Sequence, residues 1–203
     1  MNGRTMLLLI VLVGGLIVAA ARSAVDAEAP AAAVQETHTY SVDPVHSTVI
    51  FRIKHFGVSY FYGRFNSPTG TFSFDPENPA GSSFDITVKT ERVDTHSSRR
   101  DGHLKSADFF NAKQFPEITF KSTSVKKVRG DTLQVTGDLG LHGQTRQITI
   151  DLDHVGSRDT RRGQLCGFET TFTIKRSDFG MKFMLDALGD EVTLMISLEG
   201  SKK

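Results

Sequence analysis

The chain has 203 residues, with 24 Lys and Arg against 23 Asp and Glu and a single cysteine. This near-neutral balance excludes a dedicated nucleic-acid binder, which needs an excess of cations to neutralise phosphates. One cysteine excludes a disulfide scaffold and a multi-cysteine zinc or iron–sulfur site, and the length favours one domain with its own core.

The N-terminal segment has the layout of a secretory signal. Arg4 precedes an uninterrupted apolar run over residues 6–21, and small residues that a signal peptidase accepts follow. We predict a signal peptide over residues 1–27, a flexible leader over 28–37, and a periplasmic or secreted protein without a stable membrane span after signal removal. An uncleaved anchor is the alternative, although these sixteen apolar residues are fewer than the roughly twenty that span a bilayer.

From Tyr40 onward, apolar residues recur at alternate positions, which is the pattern of a strand with one buried face. The pattern predicts eight strands or slightly more, separated by turns rich in Asn, Asp, Gly and Pro. Such clean alternation favours antiparallel pairing. The inward positions, which are the candidate ligand-binding residues, include Phe51, Ile53, Phe72, Phe74, Ile86, Val88, Phe120, Val135, Leu139, Ile148, Phe168, Phe172, Ile174, Leu194 and Ile196.

A sandwich and a closed barrel both fit one-sided strands, and we favour an all-β, extended eight-stranded antiparallel barrel over residues 38–203. Closure removes the exposed edges that long strands would otherwise present. A barrel of this size is either filled by its own side chains or holds one small ligand, as lipocalins do. The alternation alone leaves these two possibilities open.

Residues 98–110 interrupt the strand pattern. Ser98 is placed to cap a helix, Asp101 follows three residues later, and Leu104 and Phe110 fall on roughly one face. We therefore predict one short helix inserted between two strands.

Several sequence motifs follow one another along most of the chain. They are Asp43-Pro44-Val45-His46-Ser47, Phe51 to Gly57, Gly63-Arg64-Phe65, Arg100 to Phe110, Phe115 to Ser122, Gly137-Asp138-Leu139, Gly143-Gln144-Thr145 and Arg176 to Gly180. In this order they resemble the YceI-like polyisoprenoid-binding family over about residues 38–200. The resemblance implies a lipocalin-like barrel that holds a long isoprenoid chain, in an exported protein not known for catalysis. The resemblance also suggests a homodimer, although no pattern in the sequence itself indicates one.

The resulting hypothesis is an exported binding protein that sequesters or carries a polyisoprenoid lipid, such as a polyprenyl diphosphate or an isoprenoid quinone tail. Cations near the family-like motifs are candidates for contact with the head group, although salt bridges between the helix and the barrel are the interpretation we favour for the charges around residues 99–108. We expect no cofactor and no metal site, because no histidine pair has the required spacing. The head-group candidates are His46, His55, Arg99, Arg100, His103 and Lys105.

Two other functions stay open. One is a lipid- or ester-processing enzyme that uses His46, His55 or His103, although the sequence has no Gly-x-Ser-x-Gly elbow, phosphate-binding Gly loop or His-Glu-x-x-His motif. The other is a filled barrel that serves as a stress-related interaction protein, which an absent cavity would favour. Cys166 is expected to be a small buried apolar group without a catalytic role.

Overall fold

Eleven strands and one α-helix make up most of residues 38–202, which are the residues that the computed structural model describes. The predicted signal peptide and leader lie outside these residues. No helix between residues 38 and 202 is long and apolar enough to cross a membrane. The elements are β1 His38–Val42, β2 Thr48–His55, β3 Ser59–Phe65, β4 Thr69–Phe74, β5 Ser83–Lys89, β6 Val93–Asp94, α1 Ser98–Leu104, β7 Glu117–Arg129, β8 Thr132–Leu141, β9 Gln144–Thr160, β10 Gly163–Lys175 and β11 Leu188–Lys202.

Three positions of the barrel are each filled by two short consecutive strands. β1 pairs with β4 and with one end of β11, while β2 pairs with β3 and with the rest of β11. In the same way β4 pairs with β5, and β3 pairs with β6. When β1 and β2, β3 and β4, and β5 and β6 are each taken as one bent strand, every strand pairs with its neighbour in sequence and β11 closes the ring. The predicted eight-stranded antiparallel barrel is confirmed.

The burial along the strands follows the predicted period of two. In β8, every second residue from Leu133 to Leu141 is buried, and the residues between them are half-buried. Gly137 is one of the buried positions, and a Cβ there would stand 2.6 Å from the ring of Phe120. The missing side chain in β8 therefore leaves room for an aromatic ring of the neighbouring strand.

Strand β3 is the longest barrel strand that the alternation did not identify. Its inward positions are Phe61, Gly63 and Phe65, whereas Tyr60 and Tyr62 point outward and are exposed. An aromatic outer face and a glycine on the inner face hide the apolar–polar repeat. Gly63 is nevertheless required by packing, because a Cβ there would stand 2.3 Å from the ring of Phe51.

Helix α1 is shorter than predicted and begins one residue earlier. Its N-cap is Ser97, whose hydroxyl accepts from the Arg100 amide at 3.4 Å. The chain beyond residue 104 continues as turns. Instead of completing a capping box, the Asp101 carboxylate accepts from the Thr95 amide at 2.9 Å and from its hydroxyl at 2.5 Å.

The predicted salt bridges between the helix and the barrel are wrong. Among the described residues, the histidine–carboxylate contact of this segment joins His103 Nε2 to Asp108 Oδ2 at 2.8 Å, and both partners belong to the segment. The helix is held through Thr95 instead. Arg100 Nε donates to Thr95 Oγ1 at 2.8 Å, and Arg100 Nη2 donates to the Thr95 carbonyl at 2.6 Å.

A cluster of aromatic side chains closes one end of the barrel. Phe168 is fully buried and meets the rings of Phe72, Phe74 and Phe84 edge-on, with centroid separations of 5.0 to 5.3 Å. Tyr40 stacks on Phe72 at 5.0 Å. Edge-to-face and stacked rings fill this cross-section with apolar surface and leave few polar atoms to satisfy.

Candidate functional site

A cavity of about 480 Å³ occupies the barrel between the aromatic cluster and the opposite end. This volume falls within the roughly 300–1,000 Å³ of typical small-molecule sites. The cavity therefore argues against the alternative of a barrel filled by its own side chains. Eleven of the fifteen predicted inward residues line the cavity: Phe51, Ile53, Ile86, Val88, Phe120, Val135, Leu139, Phe172, Ile174, Leu194 and Ile196.

The other four inward residues lie outside the cavity wall. Phe72, Phe74 and Phe168 belong to the aromatic cluster, and Ile148 packs against the buried core as a half-buried side chain. Alternation identifies the inner face of a strand but carries no information on depth along the barrel. The depth depends on which rings meet across the interior, as where Gly200 makes room for Phe72, whose ring would be 2.4 Å from a Cβ at that position.

The cavity is apolar in its depth and polar at its mouth. The mouth lies where the turn between β2 and β3, helix α1 and the segment before β11 come together, and it exposes His55, Arg100 and His103. Deeper in the wall, the hydroxyl of Thr170 donates to the Asp151 carbonyl at 2.6 Å and is satisfied. Within residues 38–202, no carboxylate lines the cavity. The geometry suits a ligand with a long apolar part and a neutral or anionic head.

Three of the six head-group candidates line this mouth and three do not. His55, Arg100 and His103 contribute to the cavity wall. The Arg100 guanidinium lies 4.4 Å from the centre of the Phe61 ring, so a cation–π contact adds to its hydrogen bonds and holds it in place. His46, Arg99 and Lys105 are not among the lining side chains.

A buried arginine fixes the segment that borders the mouth. Arg176 is 3% exposed, and its guanidinium donates to the carbonyls of Met181, Phe183, Leu188 and Gly189 at 2.8 to 3.1 Å. Burial lowers the pKa of Arg176. The guanidinium thus joins four carbonyls of the chain between Met181 and Gly189. The sequence pattern did not assign this role, although the residue opens one of the family-like motifs.

Two further contacts hold the same segment. Asp190 accepts from the Ser177 amide at 2.9 Å and from its hydroxyl at 2.8 Å. Burial raises the pKa of Asp190, but these hydrogen bonds outweigh it and the pKa is lowered overall. Gly180 has a φ of +80°, which glycine adopts without strain. These contacts hold the turn between β10 and β11 in place beside the cavity mouth.

His46 lies in a separate surface cluster. Its Nδ1 is 2.9 Å from Asp43 and 3.8 Å from Glu199. The hydrogen bond to Asp43 raises the pKa of His46. Asp43 also accepts from the Val45 amide at 2.7 Å, so the cluster shapes the bend between β1 and β2. The structure does not bring His46 together with His55 and His103 at the mouth.

Cys166 is buried, as predicted, and faces the closed end of the barrel. Burial raises the pKa of its thiol to about 11. Since the thiolate is the reactive form, this side chain is inert at neutral pH. It contributes apolar packing.

Comparison with known proteins agrees with this architecture. A YceI-like domain model matches residues 40–200. Protein YceI of Escherichia coli is 46% identical over 156 residues, which cover 76% of this chain and 81% of that protein. The crystal structure of Burkholderia cenocepacia BcnA superposes with a TM-score of 0.72 at 24% identity, covering 78% of this chain and 98% of that one.

A more distant structure has the same fold. A polyisoprenoid-binding domain from Saccharophagus degradans, implicated in plant cell wall breakdown, matches with a TM-score of 0.62 at 13% identity. The match covers 83% of this chain and all of that domain. The family model spans most of the chain, and the Escherichia coli relative is similar in sequence over the same barrel. This chain belongs to the YceI-like family.

Proposed function

We propose that this protein is an exported binding protein that holds the chain of a polyisoprenoid lipid in the barrel cavity, for sequestration or transport. One observation carries the proposal. The cavity is closed by aromatic rings at one end, is apolar along its length, and has its polar side chains at the open end. A ligand of matching polarity inserts its tail and leaves its head at the mouth.

The energetics favour a long apolar chain. Each buried methylene contributes about 0.8 kcal/mol, so a few isoprene units supply several kcal/mol before the costs of ordering. Polar chemistry is not needed for affinity. The fold shared with the polyisoprenoid-binding domain of Saccharophagus degradans supports an isoprenoid as the apolar chain.

The mouth supports contact with the head group through Arg100, His55 and His103. A guanidinium recognises a diphosphate through paired charge-assisted hydrogen bonds, whereas a quinone ring requires only a donor or an apolar contact. The absence of carboxylates from the described cavity wall favours either head over a cationic one. We infer a binding role without catalysis, in the periplasm or outside the cell. The homodimer suggested by the family resemblance stays a prediction.

The test is a competition assay on protein stripped of lipid. A fluorescent apolar probe is bound in the cavity and displaced by a polyprenyl diphosphate, an isoprenoid quinone or a straight-chain fatty acid. We expect both isoprenoids to displace the probe more strongly than the fatty acid. If no isoprenoid displaces it, the proposal fails.

Arg100→Gln and Arg99→Gln form a matched pair in this assay, since the two arginines are adjacent but only Arg100 lines the mouth. If the head is a diphosphate, Arg100→Gln weakens its binding roughly tenfold and leaves quinone binding unchanged. Arg99→Gln changes neither. Equal effects of the two substitutions would show that Arg100 does not contact the head group.

A further inference from the structure

The mouth of the cavity is surrounded by exposed apolar side chains. They belong to the turn between β2 and β3 and to the segment before β11, and a hydrogen bond from the Phe56 amide to the Ala187 carbonyl, 2.7 Å long, joins the two. We call this set the apolar rim. Its members and exposed fractions are Phe56 60%, Val58 83%, Phe183 37%, Met184 42% and Leu185 38%.

Two rim residues have a backbone conformation that their side chains disfavour. Phe56 has a φ of +46° and Met184 a φ of +53°. Left-handed backbone costs stability for residues with a Cβ and is tolerated best by Gly, Asn and Asp. Of the six non-glycine residues with positive φ that the structure describes, the other four are polar: Ser67, His96, Asn111 and His142. The only apolar members of this group both lie at the mouth.

This placement is unfavourable for the isolated fold. An exposed Phe at the tip of a hairpin, where Asn is preferred, costs conformational energy and adds little to the core. Strained residues of this kind cluster at functional sites. We therefore expect the apolar rim to be covered by a binding partner.

The charges beside the rim favour an anionic partner. Lys54 and Lys182 are exposed; Lys182 directly precedes Phe183, and Lys54 is two residues before Phe56. Asp101 accepts a hydrogen bond from Thr95, and the Asp108 carboxylate lies 2.8 Å from His103 Nε2. The exposed and half-buried charged side chains of the three segments at the mouth, residues 54–58, 98–108 and 176–187, are Lys54, Arg99, Arg100, Lys105 and Lys182 against Asp101, Asp108, Asp178 and Asp186.

We propose that the apolar rim docks the protein on an anionic lipid bilayer, with the cavity mouth facing the membrane. The inference rests on the proposed function, because a docked mouth lets a lipid tail pass between bilayer and cavity without entering water. Each methylene exposed to water slows such a passage roughly fourfold. The rim is continuous with the cavity, since Met184 belongs to both. Cations attract the protein to anionic head groups, and the rim inserts at the interface.

The test is flotation with vesicles of phosphatidylglycerol and phosphatidylcholine. The double variant Phe56→Asn, Leu185→Ser removes two rim side chains that do not line the cavity, and Asn suits the positive φ of Phe56, so folding is preserved. The matched control is Val128→Thr, Val155→Thr, which changes two exposed valines at 48% and 68% exposure far from the mouth. All proteins come from the same exporting host and share one N-terminus. We expect roughly tenfold weaker vesicle binding for the rim variant and native binding for the control.

The outcomes distinguish failure of membrane docking from failure of the proposed function. Vesicle binding that is absent in the native protein, or equal in the rim variant and the control, overturns membrane docking while lipid retention measured on the same samples still tests the proposed function. A dimer in sedimentation that dissociates in the rim variant, without vesicle binding, also overturns it in favour of a second copy of the chain. Vesicle binding that depends on the rim, in a protein that holds no lipid, supports docking and refutes the cavity function.

Discussion

Replacing Arg176 with methionine tests whether one buried side chain holds the border of the cavity mouth. Arg176 is 3% exposed and donates to four carbonyl oxygens, of which that of Met181 is the most deeply placed. Methionine has a similar apolar stem but donates nothing. If water reaches two of the carbonyls and two stay unsatisfied, the loss is about 1–3 kcal/mol for each. The substitution also removes a buried charge, so its desolvation cost disappears and offsets part of this loss. We therefore expect a net loss of about 3 kcal/mol in the free energy of unfolding.

Thermal and urea unfolding measure this loss. For a domain of this size, a loss of about 3 kcal/mol lowers the melting temperature by about 6–12 °C. Arg64→Met is the matched control, because Arg64 is half exposed and its ion pair with Asp94, at 3.0 Å, contributes under about 1 kcal/mol. Amide exchange in residues 181–189 is expected to accelerate in the Arg176 variant alone. A loss of stability no larger than that of the control would refute the reasoning.

Three further predictions concern the cavity, the packing and the pH dependence. Phe172→Arg places a cation in the apolar cavity and is expected to abolish lipid loading, measured by native mass spectrometry. Thr171→Arg, on the exposed face of β10, is the control and should leave lipid loading unchanged. Equal loading of the two variants would mean that the inward face of β10 is misassigned. Gly137→Ala is expected to lower the free energy of unfolding by about 1–3 kcal/mol, because its Cβ would stand 2.6 Å from a backbone carbonyl oxygen of β7. Gly102→Ala in α1 is expected to raise that free energy by about 0.5–1 kcal/mol, because a Cβ at this position meets no other atom. If urea unfolding shows Gly137→Ala to be more stable than Gly102→Ala, the described packing is contradicted. Burial lowers the pKa of His154 in the folded state, so the unfolded chain binds more protons and stability falls as the pH drops below the ordinary value of 6.5. In denaturation curves recorded at several pH values, His154→Gln should make this fall less steep. The same dependence of stability on pH in both proteins would exclude the effect.

The sequence pattern predicts the inner face of most strands because a barrel strand has one dry and one wet side. Phe120 and Phe72 have the same parity and both face inward, yet one lines the cavity and the other closes the barrel. Nothing local distinguishes them. The difference arises from rings packed across the interior, which depends on contacts between residues distant in sequence.

The missed elements have equally specific causes. β3 escapes the alternation because Gly63 replaces an apolar side chain on its inner face and tyrosines occupy the outer one. The helix cap shifts by one residue because Ser97 and Ser98 are both capable of capping and the backbone selects the first. Arg176 resembles any charged residue in the sequence, and only the fold shows the four carbonyls that surround it.

The central claim, that the cavity holds an isoprenoid chain, is tested most directly by native mass spectrometry of the protein as recovered from an exporting host, followed by identification of the released lipid. The account predicts a complex whose added mass corresponds to a polyprenyl diphosphate or an isoprenoid quinone, and which is absent from Phe172→Arg. A homogeneous ligand-free protein, or one loaded only with straight-chain lipids, would contradict it.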